Sequence, residues 1–550
     1  MIQQFSDDDF LLSGETARTL YRSFAEPLPV TDPFTGLCTR DIAENRRYAN
    51  LTELWLEPDP QKQSAMRSCG IDEAYITGAA SDYEKFYAFA SILPRLAGNP
   101  LYRCAQLELA RYFDCGQLLS AYTAEEIWHS AADALTNTPL RARQLLASYG
   151  TESVYAACSP AEPLVWYEML REEPCGTEVI PAFLPEDGLL CRERSFPARI
   201  AALSTVCGIG IGTLADLKQA YLDRMDAFAA CGCRTALHRL DGTFRFDRAA
   251  TEGDIEDILR RALGSGARSV SEQEEAKFRT HMLLFFAKEY RSRGWVMQLF
   301  SGNLPASDAV FARTVSGSAS FVQPAGGAAS AGPACGRSAK NVRTENAAGE
   351  HAEQSISDCQ SAPSRDSFRS APAGSRDCGP VISAGNSAPR STENAVQSGF
   401  LPEKPPAFGW NIRALSALLH TLKKMQALPK TVLYPDHTGI PDACLLADLL
   451  QGSDEWGLPT LRVSFAPGQA GTSGEALRRL AAHSPAGFLP CMPSGACTPL
   501  LGASHEIFRR EVCRTLGSMA ERGEYPLDWD LLGELAAGIC YENGKTLFGI

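Results

Sequence analysis

The sequence predicts an α/β fold, a (β/α)8 barrel with a helical subdomain near the N-terminus and a long low-complexity insert. Two observations carry this expectation. Short apolar runs alternate with amphipathic helical stretches, and seven or eight such runs in one chain suit a closed barrel of parallel strands better than an open sheet. A chain of 550 residues, 45% hydrophobic and 21% charged, can also bury a core of that size.

Taken in order, VTDPFTGLCTRDIAENRRYANLTELWL (30–56) runs from an apolar strand end into a polar, helix-forming segment. Within it DIAENRR (41–47) reads as a surface helix with local charge pairing. Residues 40–150 are helical in pattern, with amphipathic stretches such as DYEKFYAFASILPRLAG and YTAEEIWHSAADALT. Strand-like runs follow: SVYAA (153–157), EVIPAFLP (178–185), ACGCRTALHRL (230–240), GWVMQLF (294–300), KTVLYP (430–435), LRVSFAP (461–467) and AGFLPCMP (486–493). Between them GIGIGT (208–213) lacks both the G-x-G-x-x-G spacing and the lysine of a phosphate loop. Thr213 followed by Asp216 reads instead as a helix N-cap with an acidic first turn.

From about Val315 to Gly399 the composition shifts to Ser, Ala, Gly and Pro, with SAP at 361–363, 370–372 and 387–389. Imperfect repeats without hydrophobic periodicity bury too little surface to offset the entropy of ordering, so residues 315–405 are expected to form a disordered insert. It would divide the barrel into a first part, 1–314, carrying the helical insertion at about 40–150, and a last part, 406–550. Residues 311–400 hold eight Lys/Arg against seven Asp/Glu, so the acidity belongs to the remainder of the chain.

The formal net charge of −13 repels nucleic acid and anionic membrane surfaces, and no Lys/Arg-rich run offsets it. No stretch of about 18 apolar residues is available to span a bilayer. The N-terminal MIQQFSDDDFLLSGETARTL is acidic and has no apolar core of signal-peptide type, so a cytoplasmic protein is expected. The 18 cysteines are scattered from Cys38 to Cys540 with no C-x-x-C and one C-x-C, at Cys231 and Cys233. Neither a zinc site nor a disulfide framework has that spacing, and free thiols are expected.

NLTELWL (50–56), AMRSCGIDEAYITGAASDYEKF (65–86), GNPLYRCAQLELARYF (98–113), AEEIWHSA (124–131), RGWVMQL (293–299), LPKTVLY (428–434), HEIFRR (505–510) and ICYENGKTLFGI (539–550) together resemble the uronate isomerase family of amidohydrolase-type metal barrels. The resemblance implies a reaction that interconverts D-glucuronate with D-fructuronate and D-galacturonate with D-tagaturonate. Moving a proton between C1 and C2 through an enediol needs a base, a metal or acid to hold the developing oxyanion, and cations for the substrate carboxylate. In such barrels these groups stand at the C-terminal ends of the strands.

At those positions the chain departs from the family pattern. The family's first strand ends in Asp-x-His-x-His; here Asp32 is kept, and Phe34 and Gly36 stand at the imidazole positions. Of the His-Tyr-Lys-Trp-Arg stretch, aligned with residues 60–64, only Lys62 survives. Two further imidazole positions hold Arg103 and Gln106, and the Thr-Asp-Asp-Pro strand end becomes Ala157, Cys158, Ser159 and Pro160. The arginine of Phe-Arg-Pro becomes Leu184, Asp-His-Gly becomes Leu237, His238 and Arg239, and the His after Met-Gln-Leu becomes Phe300. The last strand's Thr-Asp-Ser-Arg, source of a metal-binding carboxylate, aligns with Ser494, Gly495, Ala496 and Cys497.

None of Phe34, Gly36 or Gly495 can ligate a metal through its side chain, and the eight histidines include no H-x-H or H-E-x-x-H. The family metal, such as zinc, is therefore expected not to be bound. His238 reads either as a vestigial ligand or base or as a hydrogen-bonded structural residue; Asp32 reads as a vestige of the site or an N-cap. Lys62, Arg103 and Arg239 are candidates for a new cationic lining. Two functions follow from the resemblance: a catalytically degenerate homologue with a binding or regulatory role, and a working isomerase with an unorthodox or metal-free site. A uronate-like sugar acid is the expected ligand class, a homo-oligomer the expected assembly, and neither nucleic acid nor membrane a partner.

Overall fold

The computed structural model describes residues 8–302 and 409–549, apart from 139, 265–268, 451, 454–457 and 469. The expected insert, 315–405, lies outside the described residues. Seven strands form one sheet: β1 (Val30–Thr35), β2 (Thr151–Cys158), β3 (Glu178–Phe183), β4 (Thr235–Arg239), β5 (Val296–Phe300), β6 (Thr431–Tyr434) and β7 (Leu461–Val463). Each pairs in parallel with its neighbours in sequence order. Parallel neighbours require crossover connections, and helices supply them, among them Val165–Glu172 between β2 and β3 and Glu272–Arg293 between β4 and β5.

The run expected as an eighth strand, residues 486–493, is not one. It holds a short turn, Ala486–Phe488, followed by irregular chain. Pro490 and Pro493 have no N–H to give to a ladder, which accounts for the loss of regular pairing. The gap is nonetheless bridged. The Ser464 hydroxyl, just past β7, donates to Pro490 O at 3.0 Å. On the other side Gly495 N–H donates to Phe34 O at 3.0 Å and Gly36 N–H to Ala496 O at 2.8 Å. These bonds are offset by one residue, and Gly495 takes up the offset with a φ of 65°.

β1 is irregular in its turn. Its register against β2 slips between Asp32 and Thr35, where Pro33 interrupts the donors. A further slip between Val30 and Thr31 leaves Asp32 level with Val154, and Val154 belongs to the layer between the strands and the outer helices.

Alternation along the strands sorts side chains into two cores. Tyr155, Ala157, Ile180, Ala182, Leu237, Val296, Phe300, Val432 and Tyr434 form an inner cluster, and Val154, Ala156, Val179, Phe183 and Ala236 belong to the outer one. The C-terminus completes the inner cluster with Leu547 and Phe548, whose ring centroid lies 5.4 Å from that of Tyr155. Gly549 lies beside Arg234, the residue before β4, so the chain end enters from the side where the strands begin. Thr213 and Asp216 form the expected capping box on helix Leu214–Ala230. No described helix is long and apolar enough to cross a membrane.

Candidate functional site at the strand C-terminal ends

The strand ends where the resemblance implies polar chemistry are built from apolar side chains. Phe34, Ala157, Leu184, Leu237 and Phe300 all belong to the inner cluster. The Phe34 and Phe300 rings lie 5.2 Å apart and tilted by 52°, and Phe300 stacks on Tyr434 at 4.6 Å and 9°. None of the three is more than 2% exposed. Burying each ring stabilises the fold by roughly 2–3 kcal/mol. The same packing leaves the Tyr434 hydroxyl buried without a hydrogen-bond partner among the described residues, and burial drives its pKa well above the ordinary tyrosine value.

Asp32 lies outside that cluster, fully buried. Its Oδ1 accepts the backbone N–H of Phe34 at 3.2 Å and of Ser494 at 3.1 Å, and its Oδ2 stands 3.0 Å from His505 Nε2. A carboxylate only accepts, so Nε2 carries the proton of that bond. Helix Gly502–Glu521 delivers His505, and the three donors together tie β1, the irregular segment and this helix to one side chain. Gly36 and Gly495 act through their backbones in the bonds that bridge the same gap.

His238 follows Leu237 on β4 and therefore faces the opposite way, into the helix layer. Its ring packs beside Phe286 and Tyr290 of helix Glu272–Arg293, 6.0 and 5.7 Å between centroids. Nδ1 stands 3.1 Å from Glu186 Oε1 and Nε2 stands 3.0 Å from the Tyr290 hydroxyl. Arg279 lies 3.6 Å from the other oxygen of Glu186. Burial pushes the Glu186 carboxyl up, but the His238 hydrogen bond and the nearby positive charges outweigh it and hold the carboxyl below its ordinary value.

The three candidate cations are engaged separately. Lys62 is buried between Asp59 at 2.8 Å and Glu108 at 3.4 Å, with its ammonium 5.0 Å from the Trp55 ring centre. Burial disfavours that ammonium, yet the two carboxylates raise its pKa above the ordinary lysine value. Arg103 reaches Glu511 at 3.1 Å, and Arg239 lies 3.7 Å from Asp241.

A zinc or manganese ion does not fit the strand-end residues. Nitrogen, sulfur or carboxylate donors must converge on it, and Phe34, Phe300, Leu184 and Leu237 offer carbon. Among the described residues no group of three or more His, Cys, Asp or Glu side chains is placed to hold an ion. The sequence reading passed over His505, Glu186, Tyr290 and Arg279. The available signal was HEIFRR, whose His opens a helix that also carries Glu506, Arg509 and Arg510 into the interior.

A family model described as glucuronate isomerase matches residues 2–316 and 409–548. The chain is 30% identical to a uronate isomerase of Caldanaerobacter subterraneus subsp. tengcongensis over 555 aligned positions covering all of both chains. It is 29% identical to one from Clostridium perfringens, again over the whole of both. Among solved structures it is similar to the uronate isomerase of Thermotoga maritima, with a TM-score of 0.73, 22% identity and 99% and 100% of the two chains covered. It is also similar to the glucuronate isomerase of Caulobacter crescentus, with a TM-score of 0.71, 16% identity and 99% and 96% covered.

Proposed function

Because the chain belongs to the uronate isomerase family, we propose that it is a member that has kept the barrel and given up the metal-dependent isomerisation, acting through binding or regulation rather than turnover. One observation carries the reading. Five strand-end positions at which the family pattern has polar groups hold Phe34, Ala157, Leu184, Leu237 and Phe300, and these belong to one apolar cluster. A charged sugar acid or a divalent ion entering that cluster would lose its hydration without gaining a partner, a cost of several kcal/mol or more.

The two polar residues kept at the strand ends support the same reading. Asp32 is saturated by three donors, and His238 sits behind β4 between Glu186 and Tyr290. Their role is to join strands to helices. The fifteen described cysteines are all free, which suits the cytoplasmic setting we assign.

The test is an isomerase assay of the purified full-length chain with D-glucuronate and with D-galacturonate, with and without added zinc or manganese, alongside metal analysis. The expected result is no turnover above the no-enzyme rate at any loading and no stoichiometric metal. Turnover that tracks protein concentration would overturn the proposal.

A further inference from the structure

On the opposite side of the barrel, where the strands begin, lies a cavity of about 630 Å³. It is bounded by Val30, the first residue of β1, and by Ser148 and Tyr149, just before β2. Its buried lining is Tyr21, Glu506, Arg509 and Arg510, with Tyr149 half-buried and Arg111 exposed beside them. The lining sets Arg22, Arg111, Arg509 and Arg510 against Asp8, Glu26 and Glu506, a formal excess of one positive charge in a chain whose net charge is −13. Asp8, Arg22, Glu26 and Arg111 are exposed and screened by solvent, whereas Arg509, Arg510 and Glu506 are buried, and these three keep the excess of one positive charge.

The buried carboxylate is already committed. Glu506 takes a two-pronged pair from Arg111 at 2.9 and 3.1 Å, a bond from Arg510 at 2.9 Å and the Tyr149 hydroxyl at 2.9 Å. Burial pushes its carboxyl up, and these partners hold it below its ordinary value, so it stays ionised. Arg510 also gives hydrogens to Asp8 O and Phe10 O, with its guanidinium 4.4 Å from the Tyr21 ring centre.

Arg509 has no carboxylate. It is 5% exposed and donates to Leu28 O at 2.7 Å and Pro29 O at 2.5 Å, while its Nε–H is buried without a partner among the described residues. The Tyr21 hydroxyl likewise has no hydrogen-bond partner among the described residues, and burial keeps it protonated by raising its pKa. A buried cation neutralised only by carbonyl dipoles, next to an open donor, is an arrangement that an anion would complete.

We propose that this cavity binds a small oxyanion, a carboxylate or a phosphate, through the Arg509 guanidinium and the Tyr21 hydroxyl. The net positive lining sets the sign of the ligand's charge, and the cavity admits a molecule of several heavy atoms. The site lies at the strand N-terminal ends and is independent of the fate of the strand-end chemistry.

Calorimetric titration of the full-length chain at low ionic strength, with inorganic phosphate and separately with malonate, tests it. The expected result is saturable one-site binding of at least one of the two; which of them saturates names the ligand chemistry. Tyr21→Phe removes one hydrogen bond to a charged group and should weaken that binding about tenfold. Arg509→Lys keeps the charge but removes the Nε–H and should weaken it at least as much. Lys218→Ala, on a distant helix, should leave it unchanged. No saturable binding of either anion overturns the proposal, as does binding that Tyr21→Phe leaves intact or that Lys218→Ala weakens equally. Should Arg509→Lys fail to fold, Tyr21→Phe alone decides.

Discussion

Asp32 and His505 stand 473 positions apart in sequence and 3.0 Å apart in space, with neither side chain more than 2% exposed. The pair ties the start of the barrel to its last long helix, and two backbone N–H groups converge on the same carboxylate. Asp32→Ala should therefore strand three buried donors at once and lower the unfolding free energy by about 3–5 kcal/mol. Urea denaturation measures it. A variant as stable as the parent would remove the structural role given to Asp32.

The barrel was legible where it depends on short-range pattern, and the site was not where it depends on parity. Five apolar runs from EVIPAFLP to LRVSFAP contain β3 to β7, and SVYAA lies within the longer β2, because buried parallel strands are apolar on both faces. The run 486–493 has the same composition, but its two prolines decide against a ladder. Asp32 lies on β1 and His238 on β4, yet which way each points rests on the step after Leu237 and on the register slips along β1. A slip of one residue exchanges the two faces of a strand, and Pro33 in DPFTG signals a break in the ladder without saying which face each neighbour takes. Partners such as Glu186 and Tyr290, each 52 positions from His238, are long-range facts of the fold.

The aromatic stack at the strand ends should behave as core. Phe300→Ala would remove a ring that touches both Phe34 and Tyr434 and should cost about 3–5 kcal/mol, the usual loss for a buried Phe truncated to Ala. Chemical denaturation reads the loss. A cost near zero would mean that the three rings border open space rather than one another.

Acid should weaken the fold partly through Glu186. Its carboxyl is pushed up by burial and, more strongly, held down by His238 and Arg279, so the folded value lies below the ordinary 4.5. Between the two values the unfolded chain binds a proton that the folded chain refuses. The resulting stability is present in full above 4.5 and drains away as the pH falls through the folded value. Glu506, lowered in the same direction, adds to the effect. Glu186→Gln should therefore be less stable than the parent at neutral pH and lose less on acidification. Urea midpoints followed downward from neutral pH check it, and parallel profiles for the two proteins would contradict it.

The segment that carries Leu547 and Phe548 should behave as core. Phe548 is 2% exposed and packs on Tyr155 inside the barrel. Phe548→Ala should lower stability by about 3 kcal/mol, while Glu542→Ala, at an exposed position that ends the helical stretch Gly538–Glu542, should fall within about 0.5 kcal/mol of the parent. Equal melting temperatures for the two variants would show that the end of the chain is not part of the inner core.

Returning imidazoles to the strand ends asks whether only side chains were lost or the frame as well. Phe34 and Phe300 lie on β1 and β5 with ring centres 5.2 Å apart, near enough for two imidazole nitrogens to reach one zinc ion at about 2.0–2.1 Å each. Without metal, Phe34→His with Phe300→His should be less stable than the parent, because it sets two polar rings into an apolar cluster. Added zinc should bind the variant and recover part of that loss, since an ion that binds only the folded state raises its stability. Leu184 and Leu237 would still supply neither cation nor carboxylate, so isomerase turnover should stay absent even with zinc bound. Metal analysis and zinc-dependent melting read the outcome. A variant that folds but takes up no zinc would mean that the strand ends have moved apart from the geometry that a metal requires.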